Sequence, residues 1–88
     1  MAKVLMYSTA VCPFCIRAEQ LLRSKGVAEI EKVRVDLQPE LRVAMMKKTG
    51  RRTVPQIYIN GEYVGGFDEL ASLNHAGVLD ALLEQSGV

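Results

Sequence analysis

The chain has 88 residues, which fits a single domain, residues 1–88, with one modest core. Hydrophobic residues make up 49% and charged residues 24%, a globular balance that argues against disorder. Net charge is only +1, and the Lys47, Lys48, Arg51, Arg52 cluster is short enough to read as a solvated face, so no nucleic-acid partner is expected.

No stretch approaches the ~20 apolar residues that would span a bilayer. The first apolar run, Val4 to Met6, gives way to Tyr7, Ser8 and Thr9, too soon for an export signal. A cytoplasmic protein with no membrane partner is expected. In that reducing setting a cysteine pair is more plausibly catalytic or metal-binding than structural.

Val4 to Tyr7 reads as a short buried strand, with a loop over residues 8–11. A helix should start at Pro13, because its missing N–H costs nothing at the first helical position. It carries Phe14, Ile16, Ala18, Leu21 and Leu22 on its apolar side and stops at Gly26. Ile30 to Val35 alternates apolar and charged residues with a slip at Lys32, predicting a second strand. Pro39 and Glu40 open a second helix bearing Leu41, Val43, Ala44, Met45 and Met46, which ends near Thr49 and Gly50.

The clearest local pattern lies between Val54 and Val64. Asn60-Gly61 separates Ile57-Tyr58-Ile59 from Tyr63-Val64, a hairpin signature because both turn residues tolerate positive φ. Gly65 and Gly66 allow a tight turn, Asp68 is the expected cap of the next helix, and Glu69 falls in its first turn. That helix continues through Leu70, Leu73, Val78, Leu79, Leu82 and Leu83 with an interruption near Gly77. The order predicts an α/β fold: a mixed, four-stranded sheet with a parallel pair and a hairpin, flanked by helices.

Both cysteines fall in Cys12-Pro13-Phe14-Cys15. Three residues apart at a helix start, two sulfurs come within bonding range, so the pair can alternate between dithiol and disulfide. Cys12 should occupy the N-cap, where its sulfur meets free N–H groups and the positive end of the helix dipole. Such settings lower a cysteine pKa from about 8.5 and favour the thiolate. Cys15 lies one turn inside and more shielded, so Cys12 is the attacking sulfur and Cys15 the resolving one. Two other readings stand beside this one. The pair could be small core residues, or two ligands of a metal site. Zinc needs four ligands, and beyond the cysteines the chain offers the lone His75, so no metal site is expected; a two-coordinate copper carrier would need fewer.

With these motifs the chain closely resembles the glutaredoxins, in particular the short bacterial dithiol type, on a thioredoxin-like fold. The resemblance runs from Val4 through Leu83 and rests on Cys12-Pro13-Phe14-Cys15, Thr53-Val54-Pro55 and Gly65-Gly66-Phe67-Asp68. It implies an enzyme with no tightly bound cofactor that uses glutathione as co-substrate. Its partners would be glutathione and glutathionylated or disulfide-bonded proteins, and a monomer is expected. It also implies a glutathione groove. Thr53, Val54 and a cis Pro55 would offer the Val54 backbone to the glutathione cysteine unit. The N–H groups of Gly66, Phe67 and Asp68 would meet the γ-glutamyl carboxylate, with the Asp68 carboxylate on its ammonium. Arg42 would face the glycyl carboxylate. Phe14 stands where the family commonly has tyrosine, and Phe67 where it often has cysteine. Thr9 stands where the family often has lysine, leaving Arg42, Arg52 or Arg17 as replacement cations. Two alternatives share the fold: a thioredoxin-reductase-dependent electron donor, and an iron–sulfur or copper-binding module. The glycine pair and Asp68 favour a glutathione groove over the first, and the stiff Pro13 disfavours a cluster.

Overall fold

A computed structural model of the chain describes residues 3–84. Its elements run β1 (Val4–Ser8), α1 (Pro13–Ser24), β2 (Ile30–Arg34), α2 (Pro39–Thr49), β3 (Gln56–Ile59), β4 (Glu62–Gly65), α3 (Phe67–His75) and α4 (Val78–Glu84). The strands form one sheet in the order β2-β1-β3-β4. β1 lies parallel to β2, with Val4 opposite Ile30 and Ser8 opposite Arg34. It lies antiparallel to β3, with Val4 opposite Ile59, and β3 is antiparallel to β4. This is the thioredoxin-like arrangement of a mixed four-stranded sheet.

The first strand–helix–strand step produces the parallel pair. The second does not produce another: β3 enters on the far side of β1 and runs the other way. Ser8, expected in the following loop, completes β1; its carbonyl accepts the Val35 N–H at 3.0 Å, and the residue is buried.

Side chains alternate across the two central strands, which sorts them into two cores. On one face Val4, Met6, Ile57 and Ile59 meet Ala18 and Leu22 of α1, Leu70 of α3 and Leu79 of α4. On the other face Tyr7 and Tyr58 meet Met45 of α2 and Val35. The buried side of α1 is therefore Cys15, Ala18 and Leu22, at the spacing of one helix face, while Phe14 and Ile16 point outward. In α2 only Met45 is fully buried; Val43 and Met46, expected on its apolar side, are exposed.

Turn chemistry follows local steric rules. Asn60 (φ 52°) and Gly61 (φ 84°) both adopt the left-handed conformation that a two-residue hairpin needs. The last helical stretch breaks at Gly77 into α3 and α4. Asp68 does not cap α3, contrary to expectation. Gly66 takes that position and Asp68 is the second helical residue. Glu69 reaches back instead, its Oε1 accepting the Gly66 N–H at 2.8 Å. That reach fills the space beside Gly65, where any Cβ would collide with the Glu69 carboxylate.

Candidate active site

Cys12 immediately precedes α1 with extended backbone (φ −149°, ψ 98°), and Pro13 is the first helical residue. The Cys12 sulfur accepts the Cys15 N–H at 3.1 Å, one of the amides that a helix start leaves without an intrahelical acceptor. The two cysteines are joined as a disulfide, with Cα atoms 5.2 Å apart, inside the range such a bridge requires. Both are buried in this oxidised form. The loop into Cys12 is held from β2. Arg34 grips the Asp36 carboxylate at 2.8 and 2.7 Å, and Asp36 Oδ2 accepts the Ala10 N–H at 3.2 Å. The Arg34 guanidinium, with that amide, keeps the Asp36 carboxyl well below the ordinary carboxylate range.

Beside the dithiol, the Val54–Pro55 peptide is cis, and the Val54 carbonyl oxygen stands 3.8 Å from Cys12 Sγ. A cleft of about 290 Å³ opens next to it. One wall is Thr53, Val54 and Pro55; the other is Gly66, Phe67 and Asp68; Phe14 stands at the α1 side. The walls come close because Gly66 lacks a side chain: a Cβ there would lie 3.3 Å from the Pro55 carbonyl oxygen. Phe14 and Phe67 face each other with ring centroids 6.0 Å apart, and the Arg17 guanidinium lies 5.7 Å over the Phe14 ring. Phe14 is 51% exposed and Val11 89%, so the residues flanking Cys12 in this motif present accessible apolar side chains. A larger cavity, about 470 Å³, lies between β4, α3 and α4, but neither cysteine lines it. No cysteine lines the smaller cleft either, but two of its residues adjoin the redox pair: Phe14 lies between the cysteines in the chain, and the Val54 carbonyl is the oxygen that stands near Cys12 Sγ.

Seven of the expected binding residues thus converge: Phe14, Thr53, Val54, Pro55, Gly66, Phe67 and Asp68. Arg42 does not line this cleft; its Nη1 donates to the Arg52 carbonyl at 2.8 Å. The Gly66 N–H, expected to face an anion, is already taken by Glu69, which leaves the Phe67 and Asp68 amides at the helix start. Two cleft residues were not anticipated. Arg51 Nη1 donates to Glu69 Oε1 at 2.5 Å, so this pair ties the wall before β3 to α3. The Gly66 amide, with Arg51, holds the Glu69 carboxyl below its usual range. Gly66 with an acid three residues on, a pattern like half a capping box, was the available clue to Glu69. Among the described residues, no three His, Cys, Asp or Glu side chains gather as a metal-binding group.

Residues 4–64 match the glutaredoxin family model. The chain belongs to the glutaredoxin family. A glutaredoxin of Pseudomonas aeruginosa is 52% identical over 83 residues, covering 94% of this chain and 98% of that protein. Glutaredoxin 3 of Escherichia coli is 44% identical over 84 residues, covering 96% and 100% respectively. Among solved structures, a buckwheat glutaredoxin–glutathione complex superposes with a TM-score of 0.85 at 27% identity, covering 93% of this chain and 76% of that one. A glutaredoxin that keeps both cysteines is a thiol–disulfide oxidoreductase working with glutathione. No helix among the described residues is long and apolar enough to cross a membrane.

Proposed function

We propose that Cys12 is the sulfur that attacks, that Cys15 resolves, and that the cleft beside them holds glutathione. The observation that carries this is the Cys12 sulfur receiving a helix-start amide while sharing the Val54 carbonyl's neighbourhood with a tripeptide-sized cleft. In the first half-reaction the Cys12 thiolate attacks the glutathione sulfur of a mixed disulfide. A Cys12–glutathione disulfide forms, and the substrate sulfur leaves as a thiolate that takes a proton from solvent. A second glutathione thiolate then attacks the glutathione sulfur on Cys12, forming oxidised glutathione and returning the Cys12 thiolate. On a protein disulfide, Cys12 forms the mixed disulfide and Cys15 displaces the protein thiol. The Cys12–Cys15 bridge left behind is reduced by two glutathione molecules.

In this reading the Val54 backbone pairs with the glutathione cysteine unit as a strand would. The Phe67 and Asp68 amides meet the γ-glutamyl carboxylate, and the Asp68 side chain meets the ammonium. Arg51 is the basic residue on the cleft wall, so it answers the glycyl carboxylate in preference to Arg42. The protein works as a monomer in the reducing cytoplasm on glutathionylated and disulfide-bonded proteins, with no nucleic-acid partner. The test compares two variants in glutathione-coupled disulfide reduction. Cys12→Ser should be inactive on every substrate. Cys15→Ser should keep its activity on glutathione mixed disulfides and lose it on protein disulfides. Activity surviving in Cys12→Ser would reverse the roles.

A further inference from the structure

Gln56 opens β3 beside the cis peptide and is completely buried, at 0% exposure. Burying an amide is unfavourable unless its hydrogen bonds are met. Here each end is met. Nε2 donates to the Thr53 carbonyl at 3.0 Å and lies 3.3 Å from Thr53 Oγ1, while Oε1 accepts the Tyr63 hydroxyl at 2.5 Å. The chemistry fixes the direction of this chain. The Thr53 carbonyl only accepts, so the amide nitrogen must face it, the amide oxygen must face Tyr63, and the phenol must donate. Tyr63 sits on the edge strand β4, 41% exposed, and its ring lies tilted against Tyr58 with centroids 5.3 Å apart. A polar relay therefore runs from the sheet edge, through a buried amide, to the backbone just ahead of Val54.

We propose that Gln56 and Tyr63 are positioning residues for the glutathione cleft. Tyr63 sets the orientation of the Gln56 amide, and Gln56 holds the Thr53 carbonyl, which fixes the angle at which the Val54 backbone meets its ligand. The inference rests on the reading above, in which that backbone pairs with glutathione. Strand-like pairing requires the Val54 groups to stand in line with the ligand, and a turned Thr53–Val54 peptide would present them wrongly. The Cys12 sulfur takes its amide from Cys15; its contact with this connector is the Val54 carbonyl at 3.8 Å, an acceptor that supplies no N–H to a thiolate. Loss of the relay should therefore weaken ligand recognition while leaving the thiol's reactivity alone.

The experiment measures KM and kcat with a glutathionylated peptide, plus the iodoacetamide alkylation rate of Cys12, for wild type, Tyr63→Phe, Gln56→Leu and the double variant. Tyr63→Phe should raise KM by about three- to tenfold, the scale of one lost hydrogen bond. Its kcat and alkylation rate should stay within about twofold of wild type, a split that simple destabilisation would not produce. Gln56→Leu should raise KM at least as much, and the double variant no further, because Tyr63 acts through Gln56. If Gln56→Leu does not fold, Tyr63→Phe decides alone. An unchanged KM in Tyr63→Phe overturns the proposal, as do additive effects or alkylation rates that fall in step with KM. A wild type that never saturates with the glutathionylated peptide would remove the ligand reading and this inference together. Saturation in the wild type with unaltered variants would remove this inference alone.

Discussion

Among the described residues, three side-chain carboxylates ionise more readily folded than free. Glu19 answers to Lys32 at 2.6 Å and then Arg23, Asp36 to Arg34 and the Ala10 amide, and Glu69 to the Gly66 amide and then Arg51. A carboxyl whose pKa is lowered by folding adds stability above its unfolded pKa, about 4, and that contribution fades as pH falls through the folded value. All three sit near the surface, so each effect is modest and salt-sensitive. The melting temperature should hold between about pH 7 and 5 and decline below about pH 4. An Asp36→Asn/Glu69→Gln variant should melt lower at pH 7 and show a shallower acid decline. An acid slope equal to the wild type's would mean other groups control it. Arg51 has a second duty in this scheme. Arg51→Ala should raise KM for a glutathionylated peptide by about three- to tenfold, the loss of one charged contact partly exposed to water. Arg42→Ala, which removes a bond to the Arg52 carbonyl away from the cleft, should change it less. A larger effect at Arg42 would return the glycyl carboxylate to that residue.

At the scale of elements, the proposed chemistry depends on how α1 begins. Its N-terminus brings an unpaired amide to the Cys12 sulfur and buries Cys15 on the same face as Ala18 and Leu22. Reduced protein should therefore show thiolate ultraviolet absorbance at neutral pH that Cys12→Ser abolishes; absorbance appearing only near pH 8.5, where a free cysteine titrates, would contradict the role given to this helix. Such features were legible in the chain because they are local. Pro13 marks the helix start, Gly50 (φ 75°) ends α2, and Asn60-Gly61 makes the hairpin, each through backbone sterics acting within a few residues. The cleft was only partly legible. Thr53-Val54-Pro55 and Gly65-Gly66-Phe67-Asp68 were placed by resemblance, which located both walls. Pairings across the walls were not legible, because Arg51 and Glu69 lie 18 positions apart and meet only after α3 docks. Asp68 misled for a related reason: any short acid near a helix start looks like a cap, and the contest with Glu69 is settled by the glycine pair, where Gly65 leaves room for the Glu69 carboxylate and Gly66 gives it an N–H.

The whole molecule places the cleft on the seam between two cores. Val54 packs against the cluster of Tyr7, Val35, Met45 and Tyr58, whereas Phe67, on the facing wall, packs against the cluster on the other side of the sheet. Each wall is thus supported from a different hydrophobic layer. Removing a fully buried side chain costs about 2–5 kcal/mol through lost transfer energy and the cavity left behind. Met45 and Leu79 are both fully buried, one in each layer, so Met45→Ala and Leu79→Ala should each lower the melting temperature by at least about 8 °C. Their effects on catalysis should differ. Met45 lies in the layer beneath Val54, and its loss lets that wall settle toward the void, so KM for a glutathionylated peptide should rise. Leu79 lies on α4 and lines neither the cleft nor the dithiol, so its loss should leave KM close to wild type at temperatures where circular dichroism shows both variants folded. Equal KM changes in the two would mean that the sheet transmits core damage indiscriminately, and that the two layers do not support the two walls separately.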